Sequence, residues 1–413
     1  MPDLLFLTQR LPYPPIKGEK IRPLQILKYL ARWYNVYVGC LIDDPADAQH
    51  IDTVRAMCRD IHVATLNRKI GRLKCLRGLL SGESLSATYF RDPGLARWVR
   101  QVVALVQPAV IFVNSGNMAP YVLDLPKRQL RICDLADVDS AKWLAYAGAT
   151  AGPMRLVYRR EWRKVAALER RIANQFDLSS FVSDAEASLF TSLIPDCADH
   201  IRGLSSGVDH RYFDPGLVCT AVFDTLHPTY VFTGTMDYPP NVDAVVWFAT
   251  EILPVIRHTV PDAQFYIVGN RPNTQVQRLT ARGGVSVTGW VPDVRPYLAH
   301  ATAAVAPMRI ARGIQNKVLE AMAMGKPVVL TSGAQEGLEV EPGRDLILAD
   351  TVETFAAACC RLATSNDGAT IGAAARARIM RDYDWSARLC RFDDLLRPST
   401  AAHETATLQE KVG

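Results

Sequence analysis

The chain has 413 residues, 49% of them hydrophobic, with 47 Lys+Arg against 42 Asp+Glu and nine cysteines. That length is long for one domain and natural for two, each able to bury its own core. No run approaches the roughly 18 apolar residues of a membrane-spanning helix, and the odd, scattered cysteines exclude a disulfide framework, so reduced thiols are expected. Eight histidines show neither H-E-x-x-H nor a Cys/His ligand spacing, so no metal is assigned.

The chain opens MPDLLFLT, a buried-strand pattern without a basic leader or a cleavage site, which predicts a cytoplasmic protein. Strands are expected over 4–8, 36–42, 61–66, 110–114, 130–133 and 178–183, then over 230–234, 265–269, 285–288, 303–306, 328–331 and 346–348. Helical patterns lie between them, the alternation of parallel α/β sheets, and two doubly wound domains follow. No G-x-G-x-x-G follows the first strand, which disfavours an NAD-dependent dehydrogenase. Gly18, after a proline-rich loop, is either a plain turn residue or a place where a missing Cβ lets backbone approach a diphosphate.

Residues 1–200 hold 27 Lys+Arg against 20 Asp+Glu, a net of +7, and the remainder holds 20 against 22. Much of the excess is Arg68, Lys69, Arg72, Lys74 and Arg77, interleaved with Ile70, Leu73, Leu76, Leu79 and Leu80 as in a basic amphipathic helix. A second basic stretch spans 155–171. With no nucleic-acid module visible, an anionic membrane surface fits these patches better than nucleic acid does. The domain join is expected near 204–213, where SSGVD breaks both patterns.

The most informative segment is RIARGIQNKVLEAMAMGKPVV over 309–329. Ile314, Val318 and Met322 recur at helical spacing, while Gly313, Lys317 and Glu320 share another face, and Gly325 then Pro327 stop the helix. A helix start near Gly313 behind Arg309 and Arg312 suits a pyrophosphate. Lys317 adds a point charge, and Glu320 can accept from the vicinal hydroxyls of a ribose. The competing reading is an amphipathic helix in which Lys317 and Glu320 form an ordinary i, i+3 surface pair.

This segment resembles the donor-site motif of glycosyltransferase family 4. FTGTMDYPPN over 232–241 resembles the opening of that family's second domain, VG at 268–269 and GWVPD at 289–293 its next strand ends, GVD at 207–209 its interdomain entry, and YDW at 383–385 its closing helix. RLPYPP at 10–15 with Gly18, Lys20 and Arg22, and DVDSAKW at 137–143, resemble the sugar transferases of exosortase/PEP-CTERM exopolysaccharide systems. The resemblance implies a GT-B fold of two Rossmann-like domains facing across a cleft: 1–205 on the acceptor side, 206–375 for the donor, a helix over 376–397 packing back on the first domain, and a tail over 398–413.

It further implies a retaining, metal-independent transfer from a nucleotide-diphosphate sugar to a lipid-linked saccharide at the inner face of the cytoplasmic membrane. Arg309, Lys317 and Glu320 carry the catalytic role. Gly18, Gly234, Thr235, Gly313, Ile314 and Leu319 join them around the donor, and Lys20, Arg22, Asp139 and Ser206 meet donor or acceptor sugar. No cofactor is implied. Asp137 and Asp139 spell D-x-D, which metal-dependent glycosyltransferases use, but a GT-B enzyme does not need that metal. The chain departs from the family at Arg312, where many members carry a first glutamate eight positions before Glu320, and at Met236 and Asn241, in the stretch where many carry Arg and Lys. Ser206 stands where the loop usually has Asn. A nucleotide-sugar epimerase of the same fold and a non-catalytic sugar-nucleotide-binding assembly protein remain as alternatives.

Overall fold

The computed structural model describes residues 1–15, 18–67, 71, 75, 78, 82–217, 219–311 and 313–396. The basic residues Arg68, Lys69, Arg72, Lys74 and Arg77, together with Arg312 and the tail, lie outside them. The chain divides into two compact units, Met1–Ser205 with Leu389–Gly413, and Ser206–Arg388.

In the first unit seven parallel strands are β1 Asp3–Thr8, β2 Asn35–Ile42, β3 Asp60–Thr65, β4 Val110–Asn114, β5 Leu130–Ala136, β6 Leu178–Phe181 and β7 Ile201–Gly203. Their order is β3-β2-β1-β4-β5-β6-β7. In the second, β8 Thr229–Thr233, β9 Gln264–Val268, β10 Val285–Gly289, β11 Ala303–Ala306, β12 Val328–Leu330 and β13 Ile347–Leu348 run in the order β10-β9-β8-β11-β12-β13. The predicted strands fall within a few residues of the observed ones; β7, a three-residue edge strand, was not foreseen. Continuous apolar runs such as LLFL in β1 and the wholly buried β4 and β8 are what a sheet covered on both faces requires. Each sheet reverses its strand order once, at β1/β4 and at β8/β11, and ligands of open α/β sheets sit beyond the strand ends at that switch.

Six helices matter below: α1 Gly18–Leu30, α2 Asp139–Ala149, α3 Pro153–Gln175, α4 Pro239–Trp247, α5 Asn316–Ala323 and α6 Asp367–Asp382. The single closing helix expected over 376–397 is instead broken. After α6 the Asp384 carboxylate accepts from the N–H groups of Ser386 and Ala387 at 2.8 and 3.2 Å and restarts a short helix, Trp385–Leu389, followed by Asp393–Leu396. A side chain that caps a new turn ends the old one. From Leu389 onward the described chain belongs to the first unit: Phe392 packs edge-on against Phe112 at 5.7 Å, and Tyr29 and Tyr34 donate to Asp393 and to the Leu396 carbonyl.

Candidate functional site

At the switch of the second unit, the turn after β8 leads into α4 and the loop after β11 leads into α5. Two glycines let the neighbouring strand ends close up there. A Cβ on Gly269, whose φ is +150°, would lie 1.7 Å from the Gly234 carbonyl, and a Cβ on Gly234 would meet the Asn241 side chain at 2.7 Å. The Gly234 N–H donates to Val268 at 3.0 Å, which fixes the turn.

Asn241, in the first turn of α4 and buried, spans this turn. Its Nδ2 donates to the Thr235 carbonyl at 2.9 Å, and its Oδ1 accepts from Lys317 Nζ at 2.9 Å. The Lys317 ammonium also lies 4.8 Å from the centre of the Phe232 ring. Lys317 therefore points from α5 across to α4, and among the described residues no ion pair joins it to Glu320. The ordinary i, i+3 surface pair is not formed. Glu320, half-buried one turn on, has no hydrogen-bond partner among the described residues. Burial pushes its carboxyl up to about 7, with Lys317 opposing, and burial pushes the Lys317 ammonium down to about 8, with Glu320 opposing. A strained pair of charges beside a strand switch is the kind of arrangement that meets a charged ligand.

Two expectations for this segment change. The helix begins at Asn316, three residues after Gly313, because Gly313 takes φ +66° and turns the chain before helical geometry can start. Ile314 thus precedes the helix. Leu319 is wholly buried and its N–H points to the Gln315 carbonyl at 3.4 Å, so it backs the site from within the core. At its other end the helix closes on Gly325, at φ +65°, whose carbonyl lies so close to α6 that a Cβ on Gly372 would come within 2.0 Å of it.

Arg309 is engaged elsewhere. Its Nε donates to Asp243 at 3.0 Å, a second guanidinium N–H meets the same carboxylate, and the group lies 5.2 Å from the Trp247 ring. Half-exposed, it stands beside the α4 face with the Asp243 carboxylate as its partner.

In the first unit the named residues lie in separate places. Gly18 is the first residue of α1 and exposed. Lys20 Nζ is buried against Asp47 at 2.7 Å. Arg22 forms a two-pronged buried pair with Asp134, at 2.8 and 2.7 Å, and donates to the Leu204 carbonyl at 2.8 Å; Asn114 and Ser180 also donate to Asp134. Both cations are thus committed to carboxylates within the fold. Asp139 starts α2 and shares Lys142 with Asp137, at 3.2 and 2.6 Å. Burial raises the Asp139 carboxyl, with Lys142 opposing; burial alone would lower the Lys142 ammonium, but Asp139 and Asp137 together hold it above its ordinary value. The D-x-D pair therefore holds a lysine, and no cluster of three metal-ligating side chains occurs among the described residues. Ser206 is buried at the start of the second unit.

The residue that sequence reasoning passed over is Asn241. It registered only as a departure from the family, and the signal that could have found it is an amide placed in the first turn after the β8 glycine turn.

Residues 227–365 match the family model of glycosyl transferases group 1. Among solved structures, the fold is similar to sucrose-phosphate synthase from Thermosynechococcus elongatus, at 18% identity over 97% of this chain and 100% of that one, with a TM-score of 0.69. It is also similar to Anabaena HepE in complex with UDP and glucose, at 16% identity over 96% and 99%, TM-score 0.67. WaaG, a glycosyltransferase involved in lipopolysaccharide biosynthesis, follows at 15% identity over 96% and 100%, TM-score 0.67. No curated protein matches the sequence. The fold is GT-B, and the matched domain makes the chain a glycosyltransferase.

Proposed function

We propose that this enzyme transfers a sugar from a nucleoside diphosphate sugar to a lipid-linked saccharide, with retention and without a metal. The observation that carries the reading is the turn of α5 at the β8/β11 switch: an ammonium held out by Asn241 and, three residues on, a carboxylate with no hydrogen-bond partner among the described residues. Breaking the bond to a diphosphate builds negative charge on the leaving group, and a fixed cation with the N–H groups of a short helix start lowers that barrier. Lys317 meets the phosphate, Glu320 accepts from the ribose hydroxyls, and Arg309 joins after leaving Asp243. The leaving phosphate takes the acceptor proton, and no protein base is assigned. Gly234, Thr235, Gly313 and Ile314 line the donor, and Asp139 meets a donor or acceptor hydroxyl.

The reading extends to work at the inner face of the cytoplasmic membrane in exopolysaccharide assembly of the exosortase/PEP-CTERM type, with the basic 68–80 sequence as one contact to anionic lipid. UDP-glucose, present in a crystal of HepE, is the first donor to try. The test is to incubate the full chain with labelled UDP- and GDP-hexoses and a membrane extract containing lipid-linked saccharides, in excess chelator. Labelled lipid is the expected product. An epimerised donor without transfer supports an epimerase, binding without turnover supports an assembly protein, and failure to bind any nucleotide overturns the site.

A further inference from the structure

The hairpin of α2 and α3 in the first unit carries a surface that the reaction does not use. Residues 151–156 at its tip are exposed throughout, and Leu144, Tyr146, Met154 and Leu156 keep 46%, 53%, 46% and 69% of their surface open to water. Tyr146 also joins Trp143 and Tyr158 in a ring cluster with centroids 5.6 to 6.1 Å apart, a stiff aromatic base for an apolar tip. Helix α3 bears Arg155, Arg159, Arg160, Arg163, Lys164, Arg170 and Arg171 against two carboxylates, Glu161 and Glu169. Both carboxylates are turned inward, 1% and 4% exposed: Glu161 accepts from Ser84, Leu85 and Ser86, and Glu169 from the Ser140 N–H. The outward charge of α3 is therefore all positive. Arg155, Arg159 and Arg163, four residues apart on one face, have no carboxylate partner among the described residues.

We propose that the α2–α3 tip is the surface by which this enzyme enters an anionic lipid leaflet. Leu144, Met154 and Leu156 lie among the acyl chains, Tyr146 sits at headgroup level, and Arg155, Arg159 and Arg163 pair with lipid phosphates. Several large apolar side chains exposed on one hairpin suit an interaction site, and aromatic residues with adjacent cations match the chemistry of a membrane interface. A second copy of the chain fits less well, because two such helices would bring like charges together.

This inference rests on the proposed work at a membrane and names the contact. The test is co-sedimentation of the full chain with phosphatidylcholine vesicles, with and without phosphatidylglycerol, at low and high salt. Binding is expected to need the anionic lipid. Each cation near such a surface counts for roughly fivefold in partition, so the Arg155→Gln, Arg159→Gln, Arg163→Gln variant should bind roughly 100-fold less. Met154→Ser with Leu156→Ser should lower binding at least about tenfold even at high salt, where charge is screened, whereas Leu156→Phe, which keeps an apolar side chain at that position, should bind as the parent does. Unchanged unfolding temperatures show that these exposed positions leave the fold intact. Equal sedimentation of parent and tip variants overturns the inference while leaving membrane action standing. No binding by the parent overturns both, and a concentration-dependent dimer abolished by the same variants assigns the tip to self-association instead.

Discussion

Asn241→Asp puts a carboxylate where an amide oxygen now lies 2.9 Å from Lys317 Nζ. At that distance and an effective dielectric of about 20, unit charges attract by about 5–6 kcal/mol. Desolvating the new carboxylate takes back much of this, yet a remainder of only about 1.4 kcal/mol raises the Lys317 pKa by a full unit. Lys317 now loses its proton near 8, so affinity for a diphosphate should fall above that pH in the parent, and the fall should move up by at least one unit in the variant. The same carboxylate faces the bound phosphate, so affinity at pH 7 should drop roughly tenfold or more. Asn241→Leu removes the acceptor altogether and should move the fall below pH 8. Calorimetric titration with UDP between pH 6 and 10 reads all three chains. An alkaline limb at the same pH in each would refute the claim that Asn241 governs the charge of Lys317.

Glu320→Ala should weaken nucleoside diphosphate binding by about 1.5–3 kcal/mol through lost charge-assisted bonds to ribose, and calorimetry showing unchanged affinity would remove Glu320 from the site. Stability of the unliganded protein follows from the same two shifts. Glu320 titrates above its ordinary value, so its stabilising contribution is full below about pH 4.5 and is lost as pH rises through about 7; Lys317 titrates below its ordinary value, so stability returns between about pH 8 and 10.5. Unfolding temperatures of the parent minus those of a Lys317→Met, Glu320→Gln double variant should trace that dip, and a flat difference counts against it. Asp134→Ala should destabilise the first unit by about 3–5 kcal/mol in urea, since Arg22 would stay buried without its partner.

The strands were legible because unbroken apolar runs such as those of β4 and β11 leave little choice of structure. The helix of the donor motif was legible in type but not in its start: a glycine at 313 reads equally as a helix face and as the positive-φ turn it is. Lys317 and Glu320 stood out through local spacing, whereas their environment did not, because Asn241 reaches Lys317 from 76 positions away and Asp243 holds Arg309 from 66. Lys20 and Arg22 illustrate the same distance effect in the first unit. A cation near a proline-rich loop suggests an anionic ligand, yet the carboxylates that take them, Asp47 and Asp134, are brought in by β2 and β5, and no local pattern announces that meeting. Asp137 and Asp139 were different again, since Lys142 lies within five residues and could have been read as their partner.

The contact between Gly325 and Gly372 bears on how the donor site moves. With the carbonyl of one residue seated against the bare α-carbon of the other, α5 is clamped to α6 at its far end, and any lengthwise slip would drive backbone into backbone. The helix that carries Lys317 and Glu320 thus behaves as a fixed anvil. The glycine turn at Gly313 and the half-exposed Arg309 lie outside that clamp. A side chain as small as alanine at position 372 would press on the Gly325 carbonyl and tilt the anvil itself.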